Sequence, residues 1–585
     1  MEQENLGTST IEESEVKKTF RHIKSGTSPG LDGLPVQFYR RFRKFLYPLL
    51  ARLFTSICNQ KKLPPQFTVG LIVLIPKTSP SSHSVSDYRP ITLLNSDYRI
   101  FSKLLANRLR YPLDRILPPI QTAFLPHRQI GDTILNLQFM TPVASIFKIP
   151  QIYALFCDFQ KAYDTVDRSF LFRILEKMNI GETFLSYIRL LLTNTVSHAR
   201  VNGALSRPFS FHAGVRQGCP ISPLLYLFIA HSIYRFLWSR NHGLRLQLNL
   251  PSISIYENFG GQYADDLTPL FRDLDEVPRL LSSFTIIQRA CNQRLNPKKS
   301  SICLLAGCET DIILPEEIEG IPVVRSASTL GIQFGVDAHL YDFSTWTAHF
   351  ATLERKLAKI HSLDLSIFGR AFSASAYGLS RFLYHMEFSH TDTYLSFENR
   401  VMNAVHNLVS KNLPPNSPQQ KFSRYARPTT LGPPSSGGLG VLPLSQHRLS
   451  RAAKWAARAM APQSSHAWVR ALEALCRQLS GGRFGRFALC AWPEPISDAP
   501  SPLRRMLEGF SVLPTPVLKL EPGPWCFFAP LWGNVFLRTE SLTLSDVDVG
   551  QVVSYQFGRH VDTVGLLCVC CSLISVPSLP VVSLL

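Results

Sequence analysis

The chain has 585 residues, of which 45% are hydrophobic and 18% charged, with a net charge of +19. That apolar share excludes a disordered chain, and the length calls for several domains. The basic excess points to a polyanionic partner, because Lys and Arg that neutralise phosphates release condensed counterions. A merely basic soluble protein is the alternative. Twelve cysteines without a signal peptide read as reduced thiols in an intracellular protein that is not secreted. Cys568, Cys570 and Cys571 cluster, but no further His or Cys follows to complete a zinc site.

In chain order, residues 10–22 alternate acidic and basic side chains at helical spacing, with Thr10 as cap and Glu13 three residues on. The Gly- and Ser-rich residues 25–35 break that helix. Their amides suit a phosphate, or form an ordinary loop. Arg40, Arg41, Arg43, Lys44, Lys61 and Lys62 follow on helices, as a template-binding face or a solvated one. Residues 67–75 form a β-run ending at Pro76-Lys77, and residues 87–94 return after a Ser-rich tip. Residues 96–110 have the spacing of an amphipathic helix.

Residues 151–157 are an apolar strand that delivers Asp158 at its end. A charge there costs several kcal/mol unless it is paired or bound to metal. Residues 170–192 are helical scaffold, and 197–212 a hairpin turning at Asn202-Gly203. Residues 214–223 open a helix that runs to about Trp238.

The stretch Tyr263-Ala264-Asp265-Asp266 lies between glycines and apolar residues, as a hairpin turn would. Adjacent carboxylates repel, so such a turn gains from a cation, and hard oxygens suit Mg²⁺ or Mn²⁺. A solvated turn would look the same. Asp158 changes the balance: three carboxylates from two segments are the equipment of two-metal phosphoryl transfer. Pro269 cannot donate to a ladder, so the outgoing strand is expected to be an edge or bulged there.

A second helix covers 277–291, and 328–332 form a short hairpin. Residues 346–361 and 366–388 read as two helices. Residues 414–440 read as a linker, and 448–460 as a basic helix. Residues 564–585 carry no charge and are long enough to span a bilayer, but Pro577 and Pro580 make a poor helix. A membrane partner is therefore not expected.

Three of these stretches carry a resemblance. Tyr263-Ala264-Asp265-Asp266, the Asp158 box, and Gly214-Val215-Arg216-Gln217-Gly218-Cys219-Pro220 between them resemble the palm motifs of a reverse transcriptase. The wording is most similar to non-LTR (LINE-type) retrotransposon polymerases. Residues 25–35 resemble the "SPG-DG" segment of that family, residues 117–130 its "Q-T-x-F-x-x-x-R" insertion, and residues 365–371 its thumb.

The resemblance implies an α+β right-hand polymerase with fingers, an antiparallel palm and a helical thumb. The implied divisions are an N-terminal extension over 1–62, fingers and palm over 63–335, and thumb over 336–413. A linker and basic helix take 414–460, and a region of unknown role takes 461–585. The implied reaction is RNA-templated addition of deoxynucleoside triphosphates to the 3′-end of a DNA primer or nicked target. Two Mg²⁺ (or Mn²⁺) would be held by Asp158, Asp265, Asp266 and the Phe159 carbonyl.

By the same resemblance, Lys77 and Arg89 meet the triphosphate, where Arg binds anionic oxygens in bidentate fashion. Tyr163 abuts the sugar and clashes with a 2′-hydroxyl. Gln217 contacts the nucleotide, and Arg216 and Arg128 face the template. Lys299 protonates the leaving pyrophosphate or simply contacts phosphate. The family places the protein in the nucleus. A group II intron or telomerase-like polymerase, and a non-catalytic RNA-binding remnant, are the alternatives.

Overall fold

The computed structural model describes residue 6 and residues 8–77, 87–250, 253–308, 312–389, 391–410, 426–460, 465–479 and 501–511. The Ser-rich tip, residues 414–425 of the expected linker, the Cys568 cluster and the uncharged 564–585 stretch lie outside the described residues.

The N-terminal part is helical: α1 (Glu13–Arg21), α2 (Val36–Arg41) and α3 (Arg43–Gln60). The capping box expected at Thr10 is absent; Glu12 is the N-cap and makes no side-chain cap bond. Glu13 and Glu15 in the first turn offset the helix dipole instead. Glu15 also takes Arg108 Nε at 2.7 Å, which ties α1 to the long helix α4 (Ser96–Ile116).

The fingers are a sheet in the order β2-β1-β4-β5, with β6 also on β4. Here β1 is Gly70–Pro76, β2 Tyr88–Leu94, β4 Thr195–Val201, β5 Ala204–Leu205 and β6 Phe209–Phe211. Pro90 sits in the edge strand β2, where a missing N–H costs no ladder bond. The β4–β5 turn has positive φ at both Asn202 (49°) and Gly203 (84°), the type I′ requirement.

The palm sheet runs β12-β13-β11-β3-β10-β9. β3 (Ile152–Phe156) is buried along its whole length, as a continuous apolar run between two covered faces should be. Its neighbours are β10 (Asp266–Phe271) and β11 (Ser301–Ala306), and β9 (Gly260–Tyr263) closes one edge. β12 (Glu317–Ile318) and β13 (Ile321–Val324) close the other. On one face pack α7 (Arg168–Lys177), α8 (Glu182–Leu192), α9 (Ser222–Ser239) and α10 (Val277–Cys291), in one core with the N-terminal helices. On the other lie α5 (Ile130–Gln138), α6 (Met140–Ile146), and the hairpin of β7 (Leu244–Leu250) and β8 (Ile253–Asn258). The short hairpin expected over 328–332 is β14 (Ala327–Thr329) with β15 (Ile332–Phe334).

Pro269 corrects the sequence expectation. It lies in β10 with strands on both sides, opposite Gly260 of β9. The β10–β3 pairing holds at Leu270↔Ala154 and Phe271↔Tyr153, lapses, and resumes at Cys157↔Leu267. The register is unshifted, so the proline removes a donor without bulging the strand.

The thumb is α11 (Ala338–His361), α12 (Ile367–Ser373), α13 (Phe382–Phe388) and α14 (Thr391–Val409) around its own core. Trp346 stacks on Phe382 and Phe397 at 5.6 and 6.0 Å. The single helix expected over 366–388 is interrupted by a π-turn at Ala374–Gly378 and a 3₁₀ turn at Leu379–Arg381.

Beyond α15 (Arg427–Leu431), three helices return to the palm: α16 (Leu444–Met460), α17 (Ala467–Leu479) and α18 (Ser501–Ser511). Their Trp455, Trp468, Leu472 and Leu503 share a core with α5, α6, β3 and β7. Asp132 of α5 is 2% exposed. It accepts from Arg458 Nη2 (2.8 Å), Arg458 Nε (3.0 Å) and Trp468 Nε1 (3.1 Å). The region beyond 461 thus includes a structural part of the palm. No helix among the described residues is long and apolar enough to cross a membrane.

Candidate active site

Asp158 lies two residues beyond the end of β3, after the Cys157 bridge. Because Cys157 pairs with Leu267, the next step in the same antiparallel register sets Asp158 opposite Asp266. Two like charges directly opposed across a ladder destabilise it unless something neutralises them. The Asp158 backbone is fixed from the other side: its N–H donates to Ser300 Oγ at 3.1 Å, and its carbonyl accepts from Asn296 N at 2.8 Å. Phe159 is buried and pairs with Leu295. Successive carbonyls of an extended chain face opposite ways, so the Phe159 carbonyl faces away from Asn296, toward the β9–β10 side. Lys299 is exposed within the turn that carries Asn296 and Ser300.

Asp265 and Asp266 come from the β9–β10 turn, in which Tyr263 pairs with Asp266. Ala264, the first turn residue, has φ +56°, a conformation that costs a non-glycine residue energy. Its N–H donates to Gln121 Oε1 at 3.0 Å. Gln121 is 1% exposed and also accepts from Ala123 N at 3.1 Å. The same insertion lies parallel to β9: Thr122 N donates to the Gln262 carbonyl at 2.9 Å. Gln262 Nε2 donates to the Ala230 carbonyl of α9 at 2.9 Å. The glycines ahead of the turn are required by space. A Cβ on Gly260 (φ +117°) would lie 1.8 Å from the Thr268 carbonyl, and one on Gly261 would lie 2.4 Å from Thr133.

The carboxyls feel one another. Asp266 is pushed up to about 6, first by burial and then by Asp265 and Asp158. Asp265 is raised by burial and by Asp158. The arrangement therefore fits a hard divalent cation, which would relieve that repulsion with oxygen donors. Among the described residues no group of three His, Cys, Asp or Glu side chains forms a ready-made metal cluster.

Tyr163 borders these carboxyls. Burial, then Asp265 and Asp266, raise its hydroxyl pKa. Its ring stacks on Tyr226 of α9 at 4.6 Å, and Tyr226 Oη donates to Gln293 Oε1 at 3.1 Å. Lys77 ends the β1 side of the fingers hairpin, and Arg89 lies opposite Ile75; both are exposed. Lys77 is near enough to lower the pKa of Asp164, whose carboxyl burial raises.

Gln217 Nε2 donates to both Asp164 oxygens, at 3.2 and 3.4 Å. Its loop joins fingers to palm: Thr92 N donates to the Gln217 carbonyl and Val215 N to the Tyr163 carbonyl, each at 2.8 Å. A Cβ on Gly218 would lie 2.4 Å from the Thr92 carbonyl, which explains that glycine. Gln217 therefore reaches the site through Asp164.

Two residues expected to face template do not. Arg216 is 5% exposed and donates to the Thr68 carbonyl and, at 3.0 Å, to the Val196 carbonyl. Arg128 pairs with Asp114 at 2.6 Å and donates to the carbonyls of Asp114, Leu117, Pro118 and Gln121. Arg128 is taken up by orphan carbonyls at the end of α4, and both terminal nitrogens of Arg216 by carbonyls at the starts of β1 and β4.

Sequence reasoning missed Gln121, Gln293 and Arg168. Arg168 donates to the carbonyls of Gly214 (2.9 Å), Phe211 (2.9 Å) and Leu192. The "Q-T-x-F" wording held the signal for Gln121, but a buried acceptor cannot be distinguished from a surface one in sequence.

Residues 75–334 match the family described as reverse transcriptase (RNA-dependent DNA polymerase). With the palm sheet and its carboxylate pair, this defines a right-hand polymerase domain of the reverse transcriptase class. The domain is similar to polymerases and polyproteins of non-LTR retrotransposons. A transposon TX1 149 kDa protein of Xenopus laevis is 29% identical over 301 residues, 52% of this chain and 22% of that protein. The Pol polyprotein of a type-1 R2 retrotransposable element of Popillia japonica is 30% identical over 279 residues, 47% of this chain and 37% of its own. The RNA-directed DNA polymerase of transposon BS of Drosophila melanogaster is 27% identical over 344 residues, 54% of this chain and 35% of its own. The chain thus spans well under two thirds of the length of these relatives.

Proposed function

We propose that this chain is the RNA-directed DNA polymerase of a LINE-type element, extending a DNA 3′-end on an RNA template from deoxynucleoside triphosphates, and that it works in the nucleus. The observation that carries the reading is Asp158 opposite Asp266 across β3 and β10, with Asp265 in the adjoining turn. Two bound Mg²⁺ ions would neutralise the triphosphate and lower the pKa of the attacking 3′-hydroxyl.

The chain's own residues do the rest by position and charge. Asp158, Asp265, Asp266 and the Phe159 carbonyl offer hard oxygens at one end of the palm sheet. The Tyr163 ring, held by its stack on Tyr226, would form the wall against the sugar that discriminates against a 2′-hydroxyl. Lys77 and Arg89 would reach from the fingers toward the triphosphate, and Lys299, in the turn that holds the Asp158 backbone, would meet the leaving pyrophosphate. Gln217 steadies Asp164 at the nucleotide end. The fixed register around Pro269 favours an active enzyme over a remnant, since the proline does not displace Asp266.

Primer extension on an RNA template with Mg²⁺ tests the reading. The full chain should incorporate deoxynucleotides, and Asp158→Asn or Asp266→Asn should abolish incorporation while leaving template binding intact. Incorporation that survives both substitutions would refute it.

A further inference from the structure

Helix α9 has two faces. Tyr226 and Ala230 meet the polymerising site, through the Tyr163 stack and the Gln262 bond. Arg235 lies nine residues beyond Tyr226, about two and a half turns, and so on the opposite face. That outer face borders two open recesses, of about 870 and 550 Å³, which share His231 and Arg235.

The smaller recess lies between α7, α9 and α10. Its charged side chains are Arg173, Lys177, Arg235 and Arg289, with no carboxylate among its lining residues. All four are exposed, and none makes a hydrogen bond or ion pair to a described residue. Its floor is apolar, with Phe170, Ile174 and Met178 half-buried. The larger recess continues past Tyr234 to Arg458, and its carboxylate, Asp114, is already paired with Arg128. Unpaired like charges crowded on one surface repel, and they persist at lowest cost where a polyanion covers them.

We infer that the outer face of α9 is a second nucleic-acid track, separate from the polymerising cleft, that takes a single RNA strand. Cations spaced along a groove follow phosphates, and half-buried aromatic and apolar side chains between them receive unstacked bases. The Phe170 and Tyr234 rings lie at the two recesses, one in each, so a strand passing over Arg235 meets both. A rigid duplex would touch the rims and leave the floors uncovered. The inference rests on the reading that this chain works on nucleic acid, but it concerns a different surface and can fail alone.

The test uses the full chain with its cleft saturated by a short RNA–DNA primer–template, and measures binding of a second, unstructured labelled RNA. The wild-type protein should bind it. The triple variant Arg173→Glu, Arg235→Glu, Arg289→Glu should bind it about tenfold or more weakly. Its slope of log affinity against log salt should be shallower by about 2, at about 0.7 per lost phosphate contact. Extension of the short primer should be unchanged.

Unchanged affinity and slope would overturn the track, as would displacement of the RNA by polyglutamate at equal charge concentration. A photo-crosslinking residue in place of Lys177 in otherwise unaltered protein keeps the inference testable if the triple variant does not fold. It should label the second RNA, and labelling of primer–template alone, or of nothing, counts against the track. Loss of extension in the unaltered chain would instead sink the polymerase reading.

Discussion

Gln121 Oε1 accepts the N–H of Ala264 at 3.0 Å, so a buried amide from the insertion after α4 holds the turn that carries Asp265. The bond acts on a residue whose φ is +56°, and it is shared with the N–H of Ala123. Gln121→Ala would leave two buried N–H groups unpaired, at about 1–3 kcal/mol each. The expected outcome is a lowered melting temperature and a fall in kcat of at least about tenfold, with KM for primer–template little changed. Steady-state primer extension and calorimetry on the same preparation check both.

Ala264 itself makes the converse case. Glycine at φ +56° relieves the Cβ penalty, about 1 kcal/mol. Ala264→Gly should raise or preserve the melting temperature. A clear drop would mean that the turn is held by side-chain packing rather than limited by backbone strain.

The raised carboxyl of Asp266 predicts a specific pH dependence. Its folded pKa, about 6, exceeds the ordinary value of 3.8, so the folded state binds the proton more tightly. In a chelator, this carboxyl therefore costs stability as pH rises from about 4 to 6, and the cost is full above 6. Asp266→Asn should remove that dependence and raise the melting temperature at pH 7. Added Mg²⁺ should stabilise the wild type at pH 7 and progressively less as pH falls through 6. Melting curves with and without Mg²⁺ across that range decide it.

Arg128 and Arg216 should behave as stability residues. Arg128→Ala strands Asp114 and four carbonyls, and breaking a partly buried pair of this kind costs about 3–5 kcal/mol. Arg128→Lys should rescue little, because an ammonium cannot span the same fork. Template affinity per folded molecule, measured by titration of active sites, should stay near the wild-type value for both positions.

Tyr163→Ala removes the wall beside Asp265. If the ring excludes a 2′-hydroxyl, discrimination against ribonucleotides should fall by about 10- to 200-fold. The ratio of kcat/KM for the two nucleotide types measures it, and an unchanged ratio would return Tyr163 to a packing role.

What the sequence disclosed was what local chemistry dictates. The unbroken apolar run of β3 leaves only one place for Asp158, and Asn202-Gly203 admits one turn. Longer-range partnerships stayed hidden. An arginine in a loop reads the same whether it faces phosphate or a carbonyl, so Arg128 and Arg216 were misread. Pro269 argues for an edge unless one knows that its missing donor falls in a lapse of the β3 ladder. The basic helix and the region beyond 461 show no role in sequence, because their apolar faces are complementary to surfaces on α5, α6 and β7 that lie far away along the chain.

Asp132 gives those helices a practical meaning. A shortened chain that ended at the thumb would lack Arg458 and Trp468, stripping Asp132 of its guanidinium and indole partners and opening to water the apolar face of α5, α6 and β7 that these helices bury. Such a fragment would carry every catalytic group and still be a poor choice for expression. The smallest autonomous polymerase unit should extend at least through Ser511.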